Sequence, residues 1–94
     1  MSDRMYVLIE IQPGKEQDFI KEIISKGLDS KAERIDLVHG SFDFVIILSG
    51  TRNEMDTRIM QMRKLPFVKR TETLIPLDLI NWENVSTDMS AKIE

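Results

Sequence analysis

The stretch His39-Gly40-Ser41-Phe42-Asp43-Phe44-Val45-Ile46-Ile47-Leu48 decides how this chain folds. Its glycine marks a tight turn between two extended segments, and the run that follows is the most apolar in the protein. A lone carboxylate opens that run. A charge beside a core is costly unless something satisfies it, so Asp43 has two readings: it caps the turn locally, or it awaits a donor from outside the strand. Alternation predicts that Phe42, Phe44, Ile46 and Leu48 point one way while Val45 and Ile47 point the other. Before the turn, residues 32–39 read as a second strand, with Ile35, Leu37 and His39 on one face and Arg34, Asp36 and Val38 on the other.

Outward from this hairpin the remaining elements follow. Residues 4–11 alternate Met5, Val7, Ile9 and Ile11 against Tyr6, Leu8 and Glu10, a strand with apolar residues on both faces. Pro13-Gly14 breaks it, and residues 15–26 take up helical spacing with Phe19, Ile20, Ile23 and Ile24, stopped by Gly27. A polar connector over residues 27–31 leads to the hairpin. Thr51 stands three residues before Glu54, the capping-box spacing, and Met55, Ile59 and Met62 follow, with Met60 widening the stripe. A second helix is therefore expected over residues 52–64, and Leu65-Pro66-Phe67 ends it. Residues 68–75 are polar and β-branched, a last strand.

The order βαββαβ predicts an α+β, ferredoxin-like antiparallel sheet with two helices on one face. In that architecture the first and third strands are central, and here they are the apolar ones. The second and fourth, with Glu33, Arg34 and Asp36 and with Lys69, Arg70 and Glu72, carry the charges that suit edges. Right-handed crossovers place both helices on the same side. Central strands with two apolar faces need cover on both, so the helix-free face is expected to meet another copy in a dimeric α+β barrel-type assembly.

The chain has 94 residues, 41% of them hydrophobic and 31% charged, which suits one small globular domain. A net charge of −3 argues against nucleic acid as the main partner. No apolar run is long enough to span a bilayer and the first residues do not form a signal peptide, so a cytoplasmic location is expected. The absence of cysteine and the single histidine exclude disulfides and the common zinc sites. Six methionines raise the idea of a soft metal, but Met55, Met60 and Met62 fall on the helical stripe and read as core. Residues 1–83 are expected to form the domain and 84–94 a frayed polar tail. Trp82, the one tryptophan, reads either as an interface anchor or as a side chain lying on its own subunit.

Four segments carry a resemblance: Tyr6-Val7-Leu8-Ile9-Glu10 running into Pro13-Gly14-Lys15; Gly40-Ser41-Phe42-Asp43; Arg63-Lys64-Leu65-Pro66-Phe67-Val68; and Arg70-Thr71-Glu72-Thr73-Leu74-Ile75-Pro76-Leu77. In this order and spacing, over roughly residues 5–77, the chain resembles the ligand-binding (RAM) domain of the Lrp/AsnC transcription regulators. It departs from the family in having Phe42 where tyrosine is frequent and in its connector over residues 27–31. The resemblance implies a stand-alone form without the helix-turn-helix, and hence no direct DNA binding. It also implies a homodimer assembling into a ring such as an octamer, with a small effector, commonly an amino acid, held between dimers. Full-length regulators of the family are implied as further partners, and no membrane or cofactor is implied.

Carried over residue by residue, the resemblance places Gly40, Ser41, Phe42, Asp43, Thr71, Glu72 and Thr73 at the effector site. The chemistry suits an amino acid: Asp43 accepts from its ammonium, and turn N–H groups with the hydroxyls of Ser41, Thr71 or Thr73 donate to its carboxylate. Several of these residues also have a plainer reading. Gly40 is what any hairpin turn favours, Thr71 and Thr73 suit any edge strand, and Glu72 points to water. His39 reads as exposed or hydrogen-bonded rather than as a ligand contact, and Arg63, Lys64, Lys69 and Arg70 as a solvated rim. No catalytic motif stands out, so the chain is not expected to be an enzyme. The alternatives to a sensing module are a ligand-free assembly subunit of a full-length regulator and a cofactor-free enzyme relying on His39 and Asp43.

Overall fold

The computed structural model describes residues 3–77, so Trp82, the tail and the boundary at residue 83 lie outside the described residues. The elements run β1 (Asp3–Ile11), α1 (Glu16–Ser25), a 3-10 turn (Leu28–Lys31), β2 (Ala32–Leu37), β3 (Phe44–Gly50), α2 (Arg52–Arg63) and β4 (Val68–Leu74). The strands form one sheet in the order β2-β3-β1-β4, every pair antiparallel. The apolar strands β1 and β3 are central and the charged strands are the edges, as their compositions require.

On the helix side of the sheet, Met5 lies opposite Leu48, Val7 opposite Ile46 and Ile9 opposite Phe44, and all of them are buried. Phe19 and Ile23 of α1 and Met55, Ile59 and Met62 of α2 close over this surface. The Phe19 ring packs on Phe44 with centroids 4.8 Å apart and meets Phe67 edge-on at 6.4 Å, so the chain leaving α2 is sealed into the same core.

The helical stripes are narrower than expected. Ile24 and Met60 are 62% and 52% exposed. At about 100° per residue, each lies roughly 140° round the helix from the first residue of its stripe, beyond the reach of the sheet. Met60 is therefore not core. The connector after α1 departs in the other direction, because its 3-10 turn buries Leu28 completely. Gly27, at φ 66°, takes the left-handed conformation that ends α1 and starts this turn.

Helix α2 begins as its spacing predicts. The Thr51 hydroxyl accepts from the Glu54 N–H at 3.2 Å and donates to Glu54 Oε1 at 3.0 Å. Lys31 Nζ reaches Glu54 Oε2 at 2.7 Å, tying the 3-10 turn to the helix start. The Lys31 and Thr51 contacts, in that order, hold the Glu54 carboxyl below its ordinary pKa.

Among the described residues no helix lies on the other face of the sheet. Tyr6 and Leu8 lie opposite Ile47 and Val45 there, and all four are half-buried. Leu74, opposite Tyr6, is 46% exposed and extends the band. Charged residues frame it: Arg4 with Glu33 at 2.9 Å and Arg34 with Asp36 at 2.9 Å on one side, and Glu10 with Arg70 at 3.3 Å on the other.

Candidate functional site

The turn after β2 is built by three hydrogen bonds that converge on Asp43. Val38 N–H donates to the Asp43 carbonyl at 2.8 Å, and Asp43 N–H donates to the Ile9 carbonyl at 2.9 Å. The Ile11 N–H donates to Asp43 Oδ2 at 2.8 Å. Because Ile9 also faces Phe44, two residues of the incoming chain stand against one of β1, and the alternation breaks at Asp43. The carboxylate then replaces the next rung of the ladder for Ile11. A buried strand end would otherwise leave that N–H without a partner. Local capping therefore engages Oδ2; among the described residues no donor reaches Oδ1.

The break in alternation corrects the expected orientation of Phe42. It does not join Phe44, Ile46 and Leu48 in the core; it is half-buried and lies under the Arg70 guanidinium, 4.4 Å from the ring centroid. Arg70 is opposite Glu10, contacts its Oε1 at 3.3 Å and donates to the Ser41 carbonyl at 3.4 Å. Arg70 is thus the clamp between β4 and the turn. The sequence places it in a solvated rim, since Phe42 is distant in the chain and only the sheet brings the two together.

The strands end sooner than the sequence suggests. β2 stops at Leu37, so His39 lies in the exposed loop with no hydrogen bond or ion pair to Asp43 among the described residues. Gly40 and Ser41 are exposed in the same loop, and Gly40, at φ 149°, holds a conformation that a side chain would strain. On β4 the period of two divides the remaining candidates. Thr71 and Thr73 pair with Ile9 and Val7 on the helix side, whereas Glu72 pairs with Leu8 on the open face. One chain therefore brings together Gly40, Ser41, Phe42 and Asp43 with Arg70 and leaves Thr71, Glu72 and Thr73 divided between two faces.

Two grooves lie elsewhere. One, of about 490 Å³, runs between α1 and the edge strand β2 and includes Ile20, Ile35, Leu37 and Phe44. The other, of about 350 Å³, lies between the end of α2 and β4 and is lined by Arg63, Val68, Lys69, Arg70 and Thr71. Among the described residues no group of three or more His, Asp or Glu is placed to hold a metal ion, and no helix is long and apolar enough to cross a membrane.

This four-stranded antiparallel sheet with both helices on one face is a ferredoxin-like fold, and solved structures share it. The protein TTHA0845 from Thermus thermophilus is 23% identical, with a TM-score of 0.73 over 84% of this chain and 98% of that one. Escherichia coli AsnC is 12% identical, with a TM-score of 0.63 over 83% of this chain and 52% of its own. A feast or famine regulatory protein of M. tuberculosis, complexed with L-methionine, is 18% identical, with a TM-score of 0.60 over 84% of this chain and 52% of its own. The chain thus spans about half the length of those two proteins. No family model matches the sequence, and no curated protein matches it. The fold expected from the RAM-domain resemblance is the fold observed, and AsnC itself is among the structures that share it.

Proposed function

We propose that this chain is an effector-sensing and oligomerisation module of the Lrp/AsnC type. The observation that carries the reading is the apolar band of Tyr6, Leu8, Val45 and Ile47 on the helix-free face, framed by ion pairs, in a fold shared with AsnC. An apolar middle with a charged rim is the anatomy of a protein interface. Two copies stacked face to face cover both bands and make a homodimer, and further association into a ring sets the turn of one dimer against β4 of the next.

An amino acid is the proposed effector, in keeping with the L-methionine bound by the regulator of similar fold. Asp43 Oδ1 accepts from its ammonium while Oδ2 stays on Ile11. The turn N–H groups at Gly40 and Ser41 and the hydroxyls of Ser41, Thr71 and Thr73 donate to the carboxylate. Since Thr71 and Thr73 face away from Glu72, the two hydroxyls act together and Glu72 is a peripheral contact. The module acts through assembly with full-length regulators rather than by binding DNA itself.

One observation favours a second reading, an assembly subunit with no effector of its own: Asp43 already has a structural duty at Ile11. Thermal unfolding against a panel of amino acids separates the two. A ligand at about one hundred times its Kd adds about 2.7 kcal/mol, and each kcal/mol moves the midpoint of a domain this size by roughly 4–8 °C. A saturable shift with one amino acid, lost in Thr73→Val or Ser41→Ala, supports sensing. A flat panel, with a full-length regulator co-purifying, supports the assembly subunit.

A further inference from the structure

We propose that the groove between the end of α2 and the start of β4 binds the phosphate groups of a small phosphorylated molecule. Arg63, Lys69, Arg70 and Thr71 line it with Val68, and its volume of about 350 Å³ admits a pyrophosphate and part of whatever bears it. The chain as a whole carries −3, so this concentration of cations is local. Glu10 answers part of the charge, 3.3 Å from Arg70 Nε and 3.9 Å from Lys69 Nζ; neither pair includes Arg63. A concave surface lined by one sign of charge concentrates counter-ions.

The backbone adds donors. Ile9 and Ile11 direct their polar groups to Asp43 on the β3 side of β1, so Leu8 and Glu10 direct theirs to β4. Glu72, opposite Leu8, therefore turns its own polar groups inward, and Thr71 turns its N–H to the outer side of β4, which pairs with no other strand among the described residues. Thr71 thus offers both an N–H and a hydroxyl beside the cations. The pairing slips at Lys69, where Glu10 faces Arg70 but Ile11 faces Val68, and this bulge opens the strand at the groove. With Val68 as its apolar wall, the groove has no aromatic lining among the described residues to grip a base or ring, so recognition falls on the phosphate oxygens. With the Arg70 guanidinium held by Phe42, Ser41 and Glu10, Arg63 supplies the forked donors and Lys69 a point charge to such a group.

The test is an amide-detected NMR titration of the full chain with sodium pyrophosphate, with sodium chloride and sodium citrate at matched ionic strength. The expected result is saturable shifts at Lys69, Arg70 and Thr71 with pyrophosphate alone. Arg63→Gln and Lys69→Gln are each expected to weaken binding about tenfold, the loss of one charge-assisted contact. Glu10→Gln, which removes the competing carboxylate, is expected to tighten it. Shifts that are linear, that chloride reproduces, or that saturate at the same concentration in Arg63→Gln as in the parent chain overturn the site, and equal binding of citrate overturns the phosphate assignment. Thr71 belongs to both proposed sites, but the titration contains no amino acid and its variants are at Arg63, Lys69 and Glu10, so these outcomes do not depend on whether an amino acid binds at the turn.

Discussion

The two faces of β1 and β3 are close in composition and differ in fate. On one side Val7, Ile9, Ile46 and Leu48 are wholly excluded from solvent by the helices. On the other, one residue along the same strands, Tyr6, Leu8, Val45 and Ile47 keep part of their surface in solvent. The difference lies in what covers the faces rather than in the residues. Two helices suffice for one face of a four-stranded sheet, and the apolar residues of the other suit a partner. The covered face makes the fold; the open face makes the proposed assembly.

The comparison is sharpest in a pair of neighbouring isoleucines. Ile46→Ala leaves a cavity in a core that cannot collapse around it and is expected to cost about 2–5 kcal/mol, read from denaturant unfolding. Ile47→Ala on the open face should cost less, and more of its cost should disappear as protein is diluted. Equal, concentration-independent losses at both positions would mean that the two faces do the same job. A harsher change separates them further. Ile47→Lys places a charge in the middle of the apolar band, so sedimentation equilibrium should show monomers while circular dichroism retains the native fold. A variant that stays dimeric would move the interface elsewhere.

Asp43 tests the seam between the faces, where the alternation breaks. Asp43→Ala strands the Ile11 N–H and is expected to cost about 1–3 kcal/mol, whereas Asp43→Asn keeps an acceptor and should lose a smaller part. The Ala variant therefore reports stability before it reports ligand binding. If the two variants unfold alike, the carboxylate is not the cap.

What was legible in the sequence follows from the same physics. Strand order, helix count and the Thr51–Glu54 cap follow from local periodicity and from charges confined to the edges. Phe42 was misplaced because period-two reasoning assumes an unbroken strand, and the bulge at Asp43 arises from a tertiary bond to Ile11, 32 positions away in the chain. Leu28 was missed because a single apolar residue in a polar connector has no periodicity to reveal it. Arg70 was read as rim because its partners, Phe42, Ser41 and Glu10, come from two other segments that only the sheet brings together. Within the candidate site, the residue types of the turn were readable, and the division of Thr71 and Thr73 from Glu72 needed the register.

The smallest expected effect sits at the margin of the covered face, where Glu54 joins Lys31 to the start of α2. Lys31 and Thr51 both favour the ionised carboxylate, so its pKa in the folded chain lies below the ordinary value. A depressed carboxyl pKa stabilises the fold above the unfolded value, and that contribution is lost as pH falls through the folded one. Acid titration of stability should therefore show a shallow decline beginning near the ordinary glutamate range. The site is exposed to solvent, which screens the pair and keeps the decline small. Glu54→Gln retains an acceptor for Thr51 but removes the charge, so it should flatten this part of the profile and leave stability below it unchanged. Because the link is electrostatic, salt should flatten it as well. Lys31→Met should reproduce most of the effect, since Lys31 is the larger cause of the shift. If Glu54→Gln flattens the profile and Lys31→Met does not, the helix start rather than the 3-10 turn carries the pH dependence, and Lys31 has no part in anchoring the covered face.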